Sequence, residues 1–596
     1  MTLSDTSNDL YCRKNVLLAN APQITHLDDN PIQLIQKAKT AIATGNIKQA
    51  RELVNDKAED SVRQTIEQDP SRTDVIFDLA LVLSLIGKKE RAESWFNKIL
   101  EQKPDAAVYN ELANIYQAQG RFSKAYSYQK KALEMEPNKP EYLNNLARIM
   151  IITGQTQQGI ELLKKAVKQK PANAMIHSNL LFYMHHLPKL NQQDLFDEHK
   201  RWGRCHAPAH LAKENHNNNT QPDRKLRVGY ISADFRVHPV SYFFEPLLDG
   251  HDCQEIEVFG YGNVAYPDQV TERLKNNFDQ YRNIRGLDDE TVINLIEKDK
   301  IDILVELSGH TADNRLLVMA HKPAPIQVTY LGAPDTTGLQ AIDYRFTDKF
   351  ADTTQSLKFY TEELVFLPHG FICYKPPDFA PSISPLPADK NGYITFGSFN
   401  AASKINPFII EIWSKILKQI PESRLVIKIG VTVDKQISDY YFKQFRQFGI
   451  DPDRVAICGW KHIKEHLQLY GQVDIALDTY PCNGFTTTCE ALWMGLPVIS
   501  LTGQCHASRV GSSILNSIDL SFFASTESDE YIAKASLLAS KRETLAKIRA
   551  SMRQRISLSN LYDAKAFAGQ VETEYRKMWH RWIETKNKNK SQEYRN

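Results

Sequence analysis

The chain has 596 residues, and at about 150 residues per domain that length predicts three or four domains. Lys and Arg number 73 against 71 Asp and Glu, and the resulting net charge of +2 argues against electrostatically driven nucleic-acid binding. A hydrophobic share of 42% and a charged share of 24% describe a globular chain able to bury several cores.

The best apolar run, LALVLSLIG at 79–87, falls well short of the roughly 20 residues that cross a bilayer, so no membrane span is expected. The opening MTLSDTSNDLYCRKN lacks the basic-then-apolar pattern of a signal peptide. Eight cysteines are scattered singly with no C-x-x-C, so zinc-ribbon and thioredoxin-like readings lack support and a reducing cytoplasm is the expected compartment.

Residues 1–30 read as a flexible N-terminal arm. Over 31–185 the chain repeats itself: Gly87, Gly120 and Gly154 are spaced by 33 and 34 residues, and Pro104, Pro137 and Pro171 keep the same spacing. Ala80, Ala113 and Ala147 precede each Gly, while Ala92, Ala125 and Gly159 follow it. Small residues let two antiparallel helices approach, Gly permits a left-handed turn, and Pro ends the second helix. This is the tetratricopeptide pattern of about 34 residues. Three good repeats are expected, with a degenerate unit at each end; the first, around Ala38, Gly45 and Ala50, is stretched. An ordinary amphipathic bundle is the competing reading, which the coincident columns disfavour. Such a solenoid usually binds a peptide or protein on its concave face. Residues 186–224 read as one or two capping helices and a polar linker.

From 225 onward the pattern changes. Apolar runs at 226–232, 255–262, 301–309 and 326–332 alternate with helical segments, as do runs at 393–400, 424–430, 455–460, 473–481 and 496–503. Strands alternating with helices predict doubly wound parallel sheets. Two Rossmann-like domains in tandem are expected, at 225–380 and 381–562, joined by the Pro- and Ser-rich 379–392; residues 563–596 form a C-terminal helix and polar tail. The overall class is an α-helical solenoid followed by two α/β units, with ligands expected beyond the carboxyl ends of the strands.

Four loops at such ends carry chemistry. In LDTYPCNGFTTTCEALWMGLPV (477–498), Gly484 and the hydroxyls of Thr486, Thr487 and Thr488 precede a helix expected from about Cys489. Backbone N–H groups at a helix N-terminus favour a phosphate, and Glu490 could receive ribose hydroxyls. The bland alternative makes Thr486 an N-cap and Glu490 a dipole-favoured acid. G-x-x-x-x-G-K-[ST] is absent, which excludes a standard P-loop. In TFGSFNAASKINP, Asn400 and Lys404 follow a strand; the lysine could neutralise a diphosphate leaving group or be a solvated surface residue. His238 of ISADFRVHPVSYFF could deprotonate or orient an acceptor hydroxyl. ILVELSGHTADNR and APIQVTYLGAPDTTG supply Asp302, His310, Gly332, Pro334, Thr336 and Thr337, placed in the vicinity of a sugar or acceptor; His310 is more often a loop hydrogen-bonder, and Asp302 a backbone cap.

Taken together, RVGYISADF-x-x-H-x-VSYF, DILVELSGHTA, PAPIQVTYLG-x-P-x-TTG, TFGSFN-x-x-x-K and TTTCEALWMG-x-P behind tetratricopeptide repeats resemble the SPINDLY / O-GlcNAc transferase family, from residue 35 to about 585. The wording is closer to SPINDLY than to the animal enzymes. The resemblance implies a GT-B glycosyltransferase, inverting and metal-independent, moving a sugar from a nucleotide diphosphate to Ser or Thr of proteins without a cofactor. It implies that His238 is the active-site His, that Lys404 neutralises the donor diphosphate, that Thr486 and Thr487 bind it, that Glu490 lies near the ribose, and that His466 lies near the base. Phe485, Ala401 and Asp302 depart from O-GlcNAc transferases, which carry His, Gln and a second active-site His there. UDP-GlcNAc is the expected donor. GDP-fucose, which SPINDLY uses, is the first alternative, a nucleotide-binding repeat scaffold without turnover the second, and transfer to a lipid or small acceptor the third.

Overall fold

The computed structural model describes residues 31–43 and 46–593. The expected arm at 1–30, the turn glycine Gly45 and the last three residues lie outside them. Helices pair as Thr73–Leu85 with Lys89–Gln102, Ala106–Ala118 with Phe122–Met135, and Pro140–Ile152 with Thr156–Gln169. Ala80, Ala92, Ala113, Ala125 and Ala147 are wholly buried where the paired helices approach. Each pair turns on a glycine of positive φ, 93° at Gly87, 75° at Gly120 and 101° at Gly154, as the spacing requires. In the first unit, helix Pro31–Ala43 is followed by a short helix, Ile47–Leu53, and a full-length one, Asp56–Gln68, and that split takes up the extra chain before Gly87. At the other end Ala174–Met184 pairs with Gln192–His206, a single capping helix followed by the turn Ala209–Leu211.

The first α/β domain holds β1 (Leu226–Ser232), β2 (Ile256–Gly262), β3 (Gln280–Asn283), β4 (Ile303–Glu306), β5 (Ile326–Thr329), β6 (Tyr344–Thr347) and β7 (Glu363–Phe366). They pair in parallel in the order β3-β2-β1-β4-β5-β6-β7. The second holds β8 (Thr395–Ser398), β9 (Arg424–Lys428), β10 (Val455–Cys458), β11 (Ile475–Leu477), β12 (Val498–Leu501) and β13 (Ala524–Ser525). Its order is β10-β9-β8-β11-β12-β13, again parallel. Strands covered on both faces read as continuous apolar runs, which is why β1, β4, β5, β8 and β12 stand out in the sequence. The runs missed β3, β6, β7 and β13. β3 is an exposed edge strand, β13 has two residues, and β6 carries Arg345, whose guanidinium is buried against the Ala333 carbonyl at 2.9 Å.

The C-terminal helix runs from Ala564 to Glu593, so the stretch expected as a polar tail continues the helix. It leaves the second domain and packs on helix Pro239–Gly250 of the first. Tyr575 meets Tyr230 at 3.1 Å, and Glu572 meets His251 at 2.8 Å. The linker 213–225 is pinned rather than loose: Arg224 and Asn218 both hold Asp302.

The solenoid docks on both domains. Tyr440 donates to the Gly154 carbonyl at 3.1 Å and Thr156 to the Ser403 carbonyl at 2.9 Å. Helix Gln192–His206 lies against the loop after β5, where Gly203 faces Gly338 and a Cβ on either would overlap backbone. No helix among the described residues is long and apolar enough to cross a membrane.

Two of the turn glycines separate backbone strain from packing. A Cβ at Gly87 would meet only the Arg51 guanidinium, at an ordinary 3.9 Å, whereas a Cβ at Gly154 would overlap the Tyr441 hydroxyl. Gly87→Ala is expected to cost about 1–2 kcal/mol for its left-handed φ, and Gly154→Ala about 1–3 kcal/mol more for the overlap. Urea unfolding of the two variants checks this; equal losses would show that the solenoid is not close-packed on Tyr441.

Candidate active site

The carboxyl ends of both sheets face a cavity of about 1030 Å³. The solenoid closes one side, contributing Arg148, Asn179, Tyr183, His185 and His186 to its wall. Residues from three parts of the chain therefore meet at one place.

The loop after β11 is organised from below. Asp478 is 2% exposed; its Oδ1 accepts the Gly484 N–H at 2.6 Å and the Thr479 N–H at 2.8 Å, and its Oδ2 accepts the Ser500 hydroxyl at 2.7 Å. Burial pushes its pKa up to about 6, against the pull of these donors. The Asn483 amide donates to the carbonyls of Thr479 and Leu501 at 2.9 and 3.2 Å. So tied, the chain enters helix Thr486–Trp493 with Phe485 as its N-cap residue. The helix thus starts at Thr486, three residues before Cys489. Thr486 is neither N-cap nor exposed: its Oγ1 is buried without a protein partner on the cavity wall. Thr487 Oγ1 donates to Asn400 Oδ1 at 3.0 Å, joining this helix to the β8 loop. Gly484 and Thr488 do not line the cavity. The early helix start turns Thr488 inward beneath the loop, where a Cβ on Gly484 would meet the Thr488 hydroxyl at 2.6 Å.

Lys404 reaches the same loop, its Nζ donating to the Asn483 carbonyl at 2.6 Å. Glu490, one turn along the helix, holds His466 Nε2 at 2.9 Å and the Tyr470 hydroxyl at 3.4 Å. His466 Nδ1 is buried without a partner. The arrangement offers an anion one ammonium, a free hydroxyl and a helix N-terminus. It offers a polyol one carboxylate.

His238 stands across the cavity, 22% exposed, as N-cap of helix Pro239–Gly250. Burial and the neighbouring Arg236 guanidinium hold its pKa well below the usual imidazole value. Nδ1 accepts the Val240 N–H at 3.3 Å. The Asp234 carboxylate lies 3.5 Å from the same nitrogen; the Val240 contact, which needs the lone pair there, assigns the proton of the neutral ring to Nε2, so the imidazole presents a donor. Phe485 stacks on Phe243 of the same helix, with centroids 4.1 Å apart and planes 7° apart, tying the two domains at the cavity floor.

Several expected sugar contacts are elsewhere. Asp302 lies at the amino end of β4, away from the cavity, accepting from Arg224, Asn218 and the Arg227 N–H. Strand direction decides this: only residues after the carboxyl ends reach the cavity. Thr336 and Thr337 are 1% exposed and bind Glu362, Thr336 at 2.6 Å and the Thr337 N–H at 2.8 Å. They shape the turn that receives Gly203. Gly332 and Pro334 do line the cavity. His310 also lines it, but both ring nitrogens are engaged, with Ser178 Oγ at 3.0 Å and the Thr337 carbonyl at 2.8 Å. It is a joint between solenoid and sheet.

The sequence reading passed over Lys428 and His185. Lys428 ends β9 on the cavity wall; a lysine inside RLVIKIG was the available signal. His185 lies beside the solenoid's last turn, buried, its Nδ1 without a hydrogen bond and 3.9 Å from the Asp335 carboxylate, and no local motif marks it.

Residues 204–376 and 385–571 match glycosyl transferase family 41, and residues 116–180 match the tetratricopeptide repeat. The chain is 40% identical over 411 residues to a Hordeum vulgare protein called probable UDP-N-acetylglucosamine–peptide N-acetylglucosaminyltransferase SPINDLY, across 68% of this chain and 44% of that protein. It is 38% identical over 422 residues to the Arabidopsis thaliana protein of the same name, across 70% and 46%. The chain thus spans less than half the length of these curated relatives. A solved structure of a mutant O-GlcNAc transferase from Thermobaculum terrenum superposes with a TM-score of 0.79 at 30% identity, covering 94% of this chain and all of that one.

The role of Asp478 is testable apart from any chemistry. Asp478→Ala strands the Gly484 and Thr479 amides and is expected to cost about 2–4 kcal/mol of stability. Asp478→Asn keeps an acceptor for the two amides and should lose less. Thermal unfolding of the two variants reads the effect; an alanine variant as stable as the wild type would show that the loop holds itself.

Proposed function

The chain belongs to glycosyl transferase family 41, and from that premise we propose that it transfers a sugar from a nucleoside diphosphate to Ser and Thr hydroxyls of proteins. The observation that carries the proposal is the convergence of Lys404, the buried Thr486 hydroxyl and the helix N-terminus on one cavity wall, opposite His238.

In this reading the donor diphosphate sits over Thr486 and Thr487, with the ribose at Glu490. The acceptor hydroxyl forms its bond to the anomeric carbon while the bond to the diphosphate oxygen breaks on the opposite face, so the configuration inverts. Charge gathers on the departing phosphate, where Lys404 and the helix dipole already point and need no reorganisation. The acceptor proton passes to acceptors in the cavity, the departing phosphate oxygens among them. Nε2–H of His238 orients a substrate oxygen in this scheme rather than removing its proton, because Nδ1 is already occupied by Val240. The charge on the leaving group is met by these residues, with no cofactor assigned a step.

Acceptors are proposed to be protein segments held by the repeats, since Arg148 and Asn179 of the solenoid border the cavity in which transfer occurs. The donor is proposed to be UDP-GlcNAc, the sugar in the names of the relatives. GDP-fucose is the second reading, favoured by Phe485: its ring is spent on Phe243 and offers no hydrogen bond to a sugar. The retained Lys404, His238 and threonine loop disfavour an inactive scaffold.

Release of nucleoside diphosphate in the presence of a protein acceptor, followed with UDP-GlcNAc and GDP-fucose in parallel, tests the proposal. Lys404→Ala is expected to lower turnover about 10²–10³-fold, as removal of one preorganised donor does elsewhere, with an unchanged melting temperature. Near-normal turnover by this variant would remove Lys404 from the mechanism, and no release with any acceptor would favour the scaffold.

A further inference from the structure

Lys428 closes strand β9, is 9% exposed and lines the cavity. It makes no hydrogen bond or ion pair with any described residue. Burial lowers its pKa, and the nearby Glu490 carboxylate offsets that effect only in part. The stem is buried while the ammonium opens on the cavity without a protein acceptor, so the acceptor it lacks is to be sought in a ligand.

Sheet order says which part of a ligand arrives there. Lys404 and Asn400 follow β8, while Thr486 and Thr487 follow its neighbour β11. β9 lies on the far side of β8 from β11, and β10 beyond it, followed by Trp460, His462 and Lys464 at the cavity's outer end. Glu490 stands between, one turn along the helix from Thr487. A nucleoside diphosphate anchored at the N-terminus of Thr486–Trp493 therefore carries its ribose past Glu490 and its base over β9.

Resting on the glycosyltransferase reading above, we propose that Lys428 reads the nucleobase: its ammonium donates to a keto oxygen, admitting guanine and uracil and rejecting adenine and cytosine. An ammonium carries three donors and no acceptor. Uracil presents O4, and guanine presents O6 with N7 beside it, where cytosine and adenine carry amino groups. An amino group at that edge would meet the lysine donor to donor and leave it buried and unsatisfied. Rejection by an unpaired buried group discriminates far better than the loss of one apolar contact.

The test is calorimetric titration of the full chain with UDP, GDP, CDP and ADP, for the wild type, Lys428→Met and Lys404→Ala. The wild type should bind the tighter of UDP and GDP about tenfold or more better than ADP and CDP. Lys428→Met should erase that preference and leave ADP binding unchanged, while Lys404→Ala should weaken all four by a common factor. Uniform weakening by Lys428→Met would put the lysine on the phosphates, and an indifferent wild type would leave it no base to read; either overturns the inference. Binding of none of the four would instead overturn the glycosyltransferase reading itself.

Discussion

A phosphate-binding turn must aim its amides outward, and something beneath it must hold the chain in that shape. In P-loop proteins glycines and a lysine within one motif do this. Here the burden falls on Asp478, a carboxylate buried under the loop that binds two backbone N–H groups and the Ser500 hydroxyl at once. With the loop so fixed, the helix begins at Thr486, Thr487 reaches Asn400, and the Asn483 carbonyl meets Lys404. The contacts expected of the donor's diphosphate trace back to that one acid.

The solenoid is part of the same construction. Thr156, at the start of the last full repeat's second helix, bonds the carbonyl of Ser403, the residue before Lys404. Across the cavity, Ser178 bonds His310 on the first domain. The element proposed to carry acceptors is thus fastened within one residue of the group proposed to stabilise the leaving group. A shift of the repeats would be felt at Lys404 through packed atoms, without a flexible connection between them.

Much of this was legible in the residues, and the exceptions have physical reasons. Gly87, Gly120 and Gly154 announce the solenoid because helix pairs need left-handed turns at fixed intervals. β1 and β8 announce themselves because strands covered on both faces must be apolar, while β3 at an exposed edge is under no such rule. At the site, the threonine loop and Lys404 could be picked out by residue type. Which threonine faces the ligand could not: the starting phase of the helix decides that Thr486 looks outward and Thr488 inward, and the phase follows from Asp478, eight residues upstream of Thr486. Asp302 looked promising for its company in the chain, yet it sits at the wrong end of its strand. Lys428 was hidden by the opposite effect, a charged residue lost in an apolar run whose direction carries it to the cavity.

The C-terminal helix has a mechanical consequence. Because it returns from the second domain to pack on Pro239–Gly250, the backbone crosses between the domains twice, once in 379–392 and again just before Ala564. Two bodies joined at one point can swivel in any direction; joined at two, they keep a single easy rotation, about the line through both joints. The repeats bridge the same two domains, through Tyr440 and Thr156 to the second and Ser178 to the first, and so restrain that rotation as well. Face-to-face rings at Phe485 and Phe243 join the same two walls at the cavity floor. Alignment between the leaving-group wall and the His238 wall is thus held by the chain's own connectivity rather than by whatever ligand comes next.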